Sequence, residues 1–149
     1  MRRLGDVELI GELMLGLPIN REFKALALHY KGICLKYRRD FDEAQRLLEQ
    51  SFEEAAPEYK GRVLQSIGAA YHHRGAVDEA IPFFVEAAKA AREYDPLTVV
   101  QSQWVIAIGR SVHGDHRRAL SDLEELFPRV CGSANIIRLY TTTSSTALP

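Results

Sequence analysis

Apolar and small residues recur along this chain in a block that predicts a pair of helices. The most regular block contains Leu64, Ile67, Gly68 and Tyr71, then Gly75, and then Ala80, Phe84 and Ala87. Within each half the spacings are three, four and seven residues, which place these side chains along one face of a helix. The glycine between the halves is typical of a turn. The block therefore predicts two amphipathic helices that fold back on each other.

The same block occurs on both sides of this one in a less regular form. The earlier copy has Leu28, Gly32, Leu35, Asp40, Ala44, Leu48 and Ser51, and the later copy has Ile106, Ala107, Gly114, Asp115, Ala119, Leu123 and Leu126. Ala44, Ala80 and Ala119 hold the same position in the three copies and lie 36 and 39 residues apart. A period of this size is typical of stacked helical repeats. We therefore expect an all-α solenoid of antiparallel helix pairs.

Capping and turn signals set the predicted ends of the helices. Asn20 can cap a helix that reaches about Arg39, and Asp40 can cap a second helix that reaches Ala55. Further turns and breaks are predicted at Ala56-Pro57, Arg74-Gly75, Asp95-Pro96, His113-Gly114-Asp115 and Phe127-Pro128, with Pro82 in the first turn of its helix. The small residues predict where paired helices cross, and we expect Gly68 to meet Ala80 there.

These signals divide the chain into three repeats and two partial ends. Residues 1–20 are predicted to be the second helix of a partial preceding repeat or an N-terminal cap; residues 21–57, 58–95 and 96–128 are repeats 1, 2 and 3; and residues 129–149 are a partial next helix with an irregular tail. The alternative for the tail is a lost reading frame near residue 130, which the nucleotide sequence would reveal. Uncapped ends of a stack expose apolar side chains, here Leu123, Leu126 and Phe127, so we expect weak self-association.

The middle copy resembles a tetratricopeptide repeat. Ile67, Gly68, Tyr71, Ala80 and Phe84 match that family's pattern, and Leu64 stands where tryptophan is commonest. The first copy departs from the pattern at Lys31 and Leu35, and the third departs at Gln103 and Arg110. The resemblance covers residues 21–128. It implies a right-handed superhelix whose inner groove is lined by the first helix of each pair and binds peptide segments of partner proteins.

The resemblance also implies which residues line that groove. They are His29, Tyr30, Ile33, Lys36 and Tyr37 from the first copy, Arg62, Gln65, Ala69, His72 and His73 from the second, and Gln101, Trp104 and Ile108 from the third. The Lys, Asn and Arg clamp of chaperone-binding members is not matched, because His29, Ile33, Ser66, Gln101 and Val105 occupy those positions. Aromatic side chains often contribute most of the binding free energy at an interface. We therefore expect the largest contributions from Tyr30, Tyr37, His73 and Trp104. The alternative for Tyr30 and Trp104 is a place in the core.

Charge separates between the first and the second helices of the pairs. The first helices hold ten basic residues and two acidic ones, whereas the second helices hold fifteen acidic residues and five basic ones. Part of this separation matches the helix dipole, since acids favour helix N-termini and bases favour C-termini. The alternative is a functional field, in which case the groove prefers an acidic or aromatic ligand.

Composition excludes several classes of protein. With 149 residues, 46% apolar residues and a net charge of −1, the chain is globular and lacks the basic excess of a nucleic-acid-binding protein. Cys34 and Cys131 do not form a paired motif, which favours a reducing compartment. Asp6, Glu8 and Glu12 interrupt the N-terminal apolar run, and no stretch reaches the length of a membrane span. We predict a soluble, cytoplasmic protein.

No motif in the chain predicts catalysis, a cofactor or a metal. A nucleophile elbow, a phosphate-binding loop and the H-E-x-x-H motif do not occur. His113, Asp115 and His116 lie at a predicted turn, and adjacent His72 and His73 point about 100° apart on a helix, which disfavours a shared zinc ion. The leading hypothesis is a non-catalytic scaffold that binds a peptide of a protein partner. The alternative is a ligand- or peptide-sensing module of a larger bacterial-type transcriptional or signalling regulator.

Overall fold

The computed structural model describes residues 2–17 and 20–131, and in these ranges the chain is all α-helical. The helices are α1 (Arg2–Leu15), α2 (Arg21–Tyr37), α3 (Phe41–Glu54), α4 (Pro57–Arg74), α5 (Val77–Ala90), α6 (Pro96–Val112) and α7 (His116–Cys131). The predicted partial helix after residue 131 and the irregular tail lie outside the described residues. The all-α fold class is confirmed for the described part.

Local chemistry accounts for most helix ends. The Asn20 side chain accepts a hydrogen bond of 2.9 Å from the Phe23 backbone N–H and caps α2, as predicted. Asp95 caps α6 in the same way through the backbone N–H of Thr98. Asp40 does stand before α3, but its side chain makes no capping hydrogen bond. Pro57 and Pro96 are the first residues of α4 and α6, where a missing N–H costs little.

Two prolines lie deeper in their helices than the sequence predicted. Pro82 is the sixth residue of α5, just beyond its first turn, and α7 continues through Pro128 to Cys131 rather than ending there. A proline at such a position leaves the carbonyl four residues earlier without its helical donor. Those carbonyls belong to Asp78 and Glu124, which are exposed, so water can hydrogen-bond to them and the helices continue.

The turns inside the helix pairs use one left-handed residue at the same position of each copy. The residues are Arg39, Gly75 and Gly114, with φ angles of 67°, 93° and 86°. Glycine adopts this conformation without strain, whereas a residue with a Cβ atom is strained by it. The first copy therefore makes the same turn as the others with a residue that fits it poorly.

Each helix packs against the next one in the chain, and the first helices also pack side by side. Besides the sequential contacts from α1 to α7, α2 contacts α4 and α4 contacts α6. The core includes Leu48 of α3 and Val63 and Ile67 of α4, and Phe52, Tyr71 and Phe83 pack against it. The helices α2, α4 and α6 thus form one layer, which positions the candidate site.

Close helix approaches occur at glycines; Gly32 meets Leu48 and Ala44 of the facing helix, whereas the nearest partners of Gly68 differ from the prediction. A Cβ atom at Gly68 would lie 3.1–3.2 Å from atoms of Phe83 and Phe84, which are nearer than any atom of Ala80. The crossing is therefore set by the two phenylalanines of α5 rather than by Ala80. A second close approach joins Gly61 to Ala91, where the added atom would lie 2.7 Å from the alanine Cβ.

Of the two end helices, α1 exposes more large apolar side chains than α7 does. Leu126 is buried and Leu123 is half-buried, because α7 turns its apolar side toward α6. Leu9, Ile10, Leu13 and Leu17 are each more than half exposed. The side chain of Phe127 lies outside the described residues. No helix in the described ranges has both the length and the apolar character that a bilayer-crossing segment requires.

Candidate binding surface

The predicted groove residues lie on α2, α4 and α6 and differ widely in exposure. Tyr30, Tyr37, Arg62, His72, His73, Trp104 and Ile108 are exposed; Ile33, Gln65, Ala69 and Gln101 are half-buried; and His29 and Lys36 are buried. Burial removes the last two from the set that a ligand could contact directly, which corrects the sequence-based expectation. We call the exposed and half-buried members, together with Val112, the first-helix surface.

The first-helix surface contains an apolar stripe on α6. Trp104, Ile108 and Val112 follow one another at intervals of four residues, so they lie along one side of the helix. Their relative exposures are 47%, 42% and 73%. Trp104 is therefore not a core residue. Large apolar side chains exposed in a row are typical of surfaces that bind another molecule.

A second aromatic group joins α2 to α4. The rings of Tyr37 and His73 meet edge to face with centroids 5.7 Å apart. The Lys36 ammonium lies 4.4 Å from the centroid of the Tyr37 ring. Partial burial, together with the positive charge of Lys36, lowers the pKa of His73. His73 is therefore held neutral, which suits an apolar contact surface.

Hydrogen bonds beneath the surface fix the spacing of the three helices. Gln65 of α4 donates to the Gln101 side-chain oxygen of α6 at 3.0 Å. His29 of α2 lies 2.5 Å (Nδ1) from the Tyr59 hydroxyl and 2.7 Å (Nε2) from the Ser66 hydroxyl, both on α4. Burial, reinforced by Arg62 and Lys36, lowers the pKa of His29 to about 4. Burial also raises the pKa of Tyr59 to about 12, so imidazole and phenol both stay neutral and each hydroxyl complements one ring nitrogen.

The contact between Ser66 and His29 has the distance of a nucleophile and its base, but its surroundings favour a structural role. The third partner is the Tyr59 phenol rather than a carboxylate that would stabilise an imidazolium. His29 is only 2% exposed, and its lowered pKa makes it a weak base. Sequence reasoning missed this cluster because its members are 30 and 37 residues apart and follow no motif.

The excess of bases on the first helices is matched by partners within the chain. Ion pairs with carboxylates involve Arg21, Lys24, Lys31, Arg38, Arg62, Arg74 and Arg110. Lys36, Arg39 and Lys60 instead lie over the rings of Tyr37, Phe41 and Phe52. Each of the ten bases thus has a partner. The positive electrostatic potential at the first-helix surface is therefore weaker than the excess of basic residues in the sequence indicated.

A separate cleft lies between α5, α6 and α7. Its volume is about 670 Å³, and its apolar lining includes Val85, Val99, Ile106 and Leu126. Lys89, Arg92, Arg110, Asp122 and Glu125 supply the charged part of the lining. The sequence pattern signalled this region only as the poor match of Gln103 and Arg110 to the repeat, and both residues line the cleft.

The histidines at the turn of the third copy have separate partners. His113 Nε2 lies 2.6 Å from a carboxylate oxygen of Asp78, and His116 Nδ1 lies 3.2 Å from the Ser111 hydroxyl. In the described ranges no three His, Cys, Asp or Glu residues are grouped as metal ligands.

No protein-family model, curated protein or solved structure matches this chain.

Proposed function

We propose that this chain is a non-catalytic interaction module that binds a peptide segment of a partner protein on the first-helix surface. The observation that supports this most is the exposed stripe of Trp104, Ile108 and Val112 on the layer formed by α2, α4 and α6. A stripe of this kind loses unfavourable contact with water when an apolar segment covers it. The partner segment therefore presents apolar or aromatic side chains.

The proposed architecture is a right-handed solenoid of the tetratricopeptide type. Two observations support it: first helices pack side by side in chain order, and the left-handed turn residue recurs at Arg39, Gly75 and Gly114. In such a stack each unit contacts only its neighbours, and the first helices form a continuous surface. Peptide binding to that surface needs no moving part, since the interhelical hydrogen bonds already fix it.

The proposal excludes a strongly acidic tail as the main ligand. The bases of the first helices are already engaged by carboxylates or aromatic rings, so an acidic peptide would have to compete with contacts inside the chain. An apolar peptide competes only with water. We expect selection from a random peptide library to enrich aromatic and branched aliphatic residues rather than Asp and Glu.

The test is a display selection on the immobilised full chain, followed by calorimetry with the enriched peptides. The double variant Tyr37→Ala and His73→Ala should bind about 30-fold more weakly, since two neighbouring hot-spot residues contribute ~2 kcal/mol or more. Its melting temperature should change little because both side chains are exposed. Tyr94→Ala is the matched control, because Tyr94 is equally exposed but lies in the α5–α6 connection.

If the double variant and Tyr94→Ala bind the enriched peptides as tightly as the original chain does, then the first-helix surface is not the binding site. A library from which no peptide is enriched above the immobilisation matrix would also contradict the proposal.

A second candidate function is a ligand-sensing module of a larger regulator. The observation that favours it is the cleft between α5, α6 and α7, whose volume is in the range of small-molecule sites. The two candidates differ in the position of the ligand, since no residue of the cleft belongs to the first-helix surface.

A further inference from the structure

The cleft between α5, α6 and α7 exists where the repeat pattern loses three aromatic side chains. One copy earlier, Phe52 of α3, Tyr71 of α4 and Phe83 of α5 each pack against the core, and the rings of Tyr71 and Phe83 stack with their centroids 5.1 Å apart. Ala88, Arg110 and Asp122 occupy the equivalent positions at the repeat offsets of 36 and 39 residues, and all three line the cleft. The aromatic stack of one copy is thus replaced by open space and an ion pair in the next.

The ion pair between Arg110 and Asp122, which both line this space, joins α6 to α7. Because both charges satisfy each other, neither is left to attract a ligand. Lys89 is similarly engaged by Glu86 at 2.7 Å. Arg92, which follows α5, forms no ion pair with any described residue. Besides Asp122, the lining contains one more acid, Glu125. Bases outnumber acids in the lining by one.

We propose that this cleft binds a small carboxylate with an aromatic or branched aliphatic body. The apolar body occupies the space that Phe52, Tyr71 and Phe83 fill in the preceding copy, against Val85, Val99, Ile106 and Leu126. The carboxylate meets Arg92, whose planar guanidinium can hold both of its oxygens. The volume of about 670 Å³ suits a ligand of this size. This site is independent of peptide binding, since it shares no residue with the first-helix surface.

The experiment uses 3-phenylpropionate as the probe and measures its binding to the full chain by saturation-transfer NMR and calorimetry. The neutral isostere 3-phenylpropanol and the cation 2-phenylethylamine test the need for a negative charge. We expect the acid to bind with a dissociation constant of about 1 mM or tighter, and the alcohol and the amine to bind at least about tenfold more weakly. The emission of Trp104, the only tryptophan, should not change, because it lies on the first-helix surface.

Two variants separate the cleft from other binding positions. Arg92→Gln should weaken binding of the acid about tenfold by removing the cation. Ala88→Phe restores the aromatic residue of the preceding copy, so it should abolish binding while the melting temperature stays equal or rises. Arg117→Gln, an exposed base of α7 outside the lining, is the control and should bind like the original chain.

Three results would overturn the inference. They are no detectable binding of the acid at millimolar concentration, equal binding of the acid and the amine, or unchanged binding by both Arg92→Gln and Ala88→Phe. If Ala88→Phe fails to fold, the affinity of Arg92→Gln for the acid, compared with that of Arg117→Gln, decides the question. Peptide binding to the first-helix surface is measured separately, so either proposal can fail without the other.

Discussion

At the scale of residues, the decisive feature is a buried neutral histidine that joins two helices of the stack. His29 hydrogen-bonds to Tyr59 and Ser66 of α4, and it is almost inaccessible to water. A protonated imidazole there would lose an acceptor and add an unpaired charge beside Arg62 and Lys36. The contact between α2 and α4 therefore depends on the protonation state of one side chain.

Stability should consequently decrease as the pH falls from 6.5 to about 4. The unfolded chain protonates His29 near its ordinary pKa of 6.5, whereas the folded chain resists protonation until about 4. The stabilisation is complete above pH 6.5 and is lost progressively below it, up to about 3 kcal/mol for a shift of this size. Urea unfolding at a series of pH values measures this loss.

The variant His29→Gln isolates that contribution. It should be less stable at pH 7 and should lose most of the pH dependence between 6.5 and 5, where few carboxylates titrate and His73, whose pKa is also lowered, leaves a smaller remainder. His116→Gln, at an exposed histidine, should keep the pH dependence of the original chain. A pH dependence that is undiminished in His29→Gln would show that another group is responsible.

At the scale of helices and turns, the three helix pairs make the same left-handed turn with different residues. Gly75 and Gly114 take the left-handed conformation freely, whereas Arg39 takes it at a cost. The guanidinium of Arg39 lies 5.8 Å from the centroid of the Phe41 ring, which recovers part of that cost. Of these three turns, the one at Arg39 therefore carries backbone strain.

Arg39→Gly should stabilise the chain by about 0.5–1 kcal/mol, because it relieves the left-handed residue and loses only one exposed cation–π contact. The reciprocal change Gly75→Arg should destabilise it by a similar or larger amount. Arg39→Ala removes the ring contact but keeps the strain, so it should be no more stable than the original chain. Thermal unfolding compares the three; equal melting temperatures for Arg39→Gly and Arg39→Ala would contradict the explanation.

At the scale of the whole molecule, the sequence predicted the helices well but did not predict the side-chain clusters that several helices build together. Asn20, Gly75 and Pro96 are local signals, since each acts on its own neighbours, and they located helix ends within a few residues. The His29 cluster and the cleft depend on side chains from different helices, which no local pattern specifies. Arg110 was visible as a departure from the repeat, but only the structure shows that Ala88 and Asp122 lie beside it around one cleft.

The apolar face of α1 predicts association between two copies of the chain. Leu9, Ile10 and Leu13 are exposed on that helix and Leu17 is exposed just after its end, and covering them with a second copy removes apolar surface from water. Sedimentation velocity should show concentration-dependent association that Leu13→Glu abolishes. Leu120→Glu changes an equally exposed but isolated leucine of α7 and should associate like the original chain. A strict monomer at every concentration would contradict this prediction.

The most direct test of the central claim is the accessibility of Trp104 when a selected peptide is bound. Because it is the only tryptophan and is 47% exposed, its fluorescence reports on the first-helix surface alone. Iodide quenching of this emission should fall when the peptide is added, and the emission should shift to shorter wavelength. In the Tyr37→Ala and His73→Ala variant the same peptide concentration should protect Trp104 far less. Full binding of the peptide by calorimetry with unchanged quenching of Trp104 would show that the peptide lies elsewhere, and the first-helix surface would then not be the binding site.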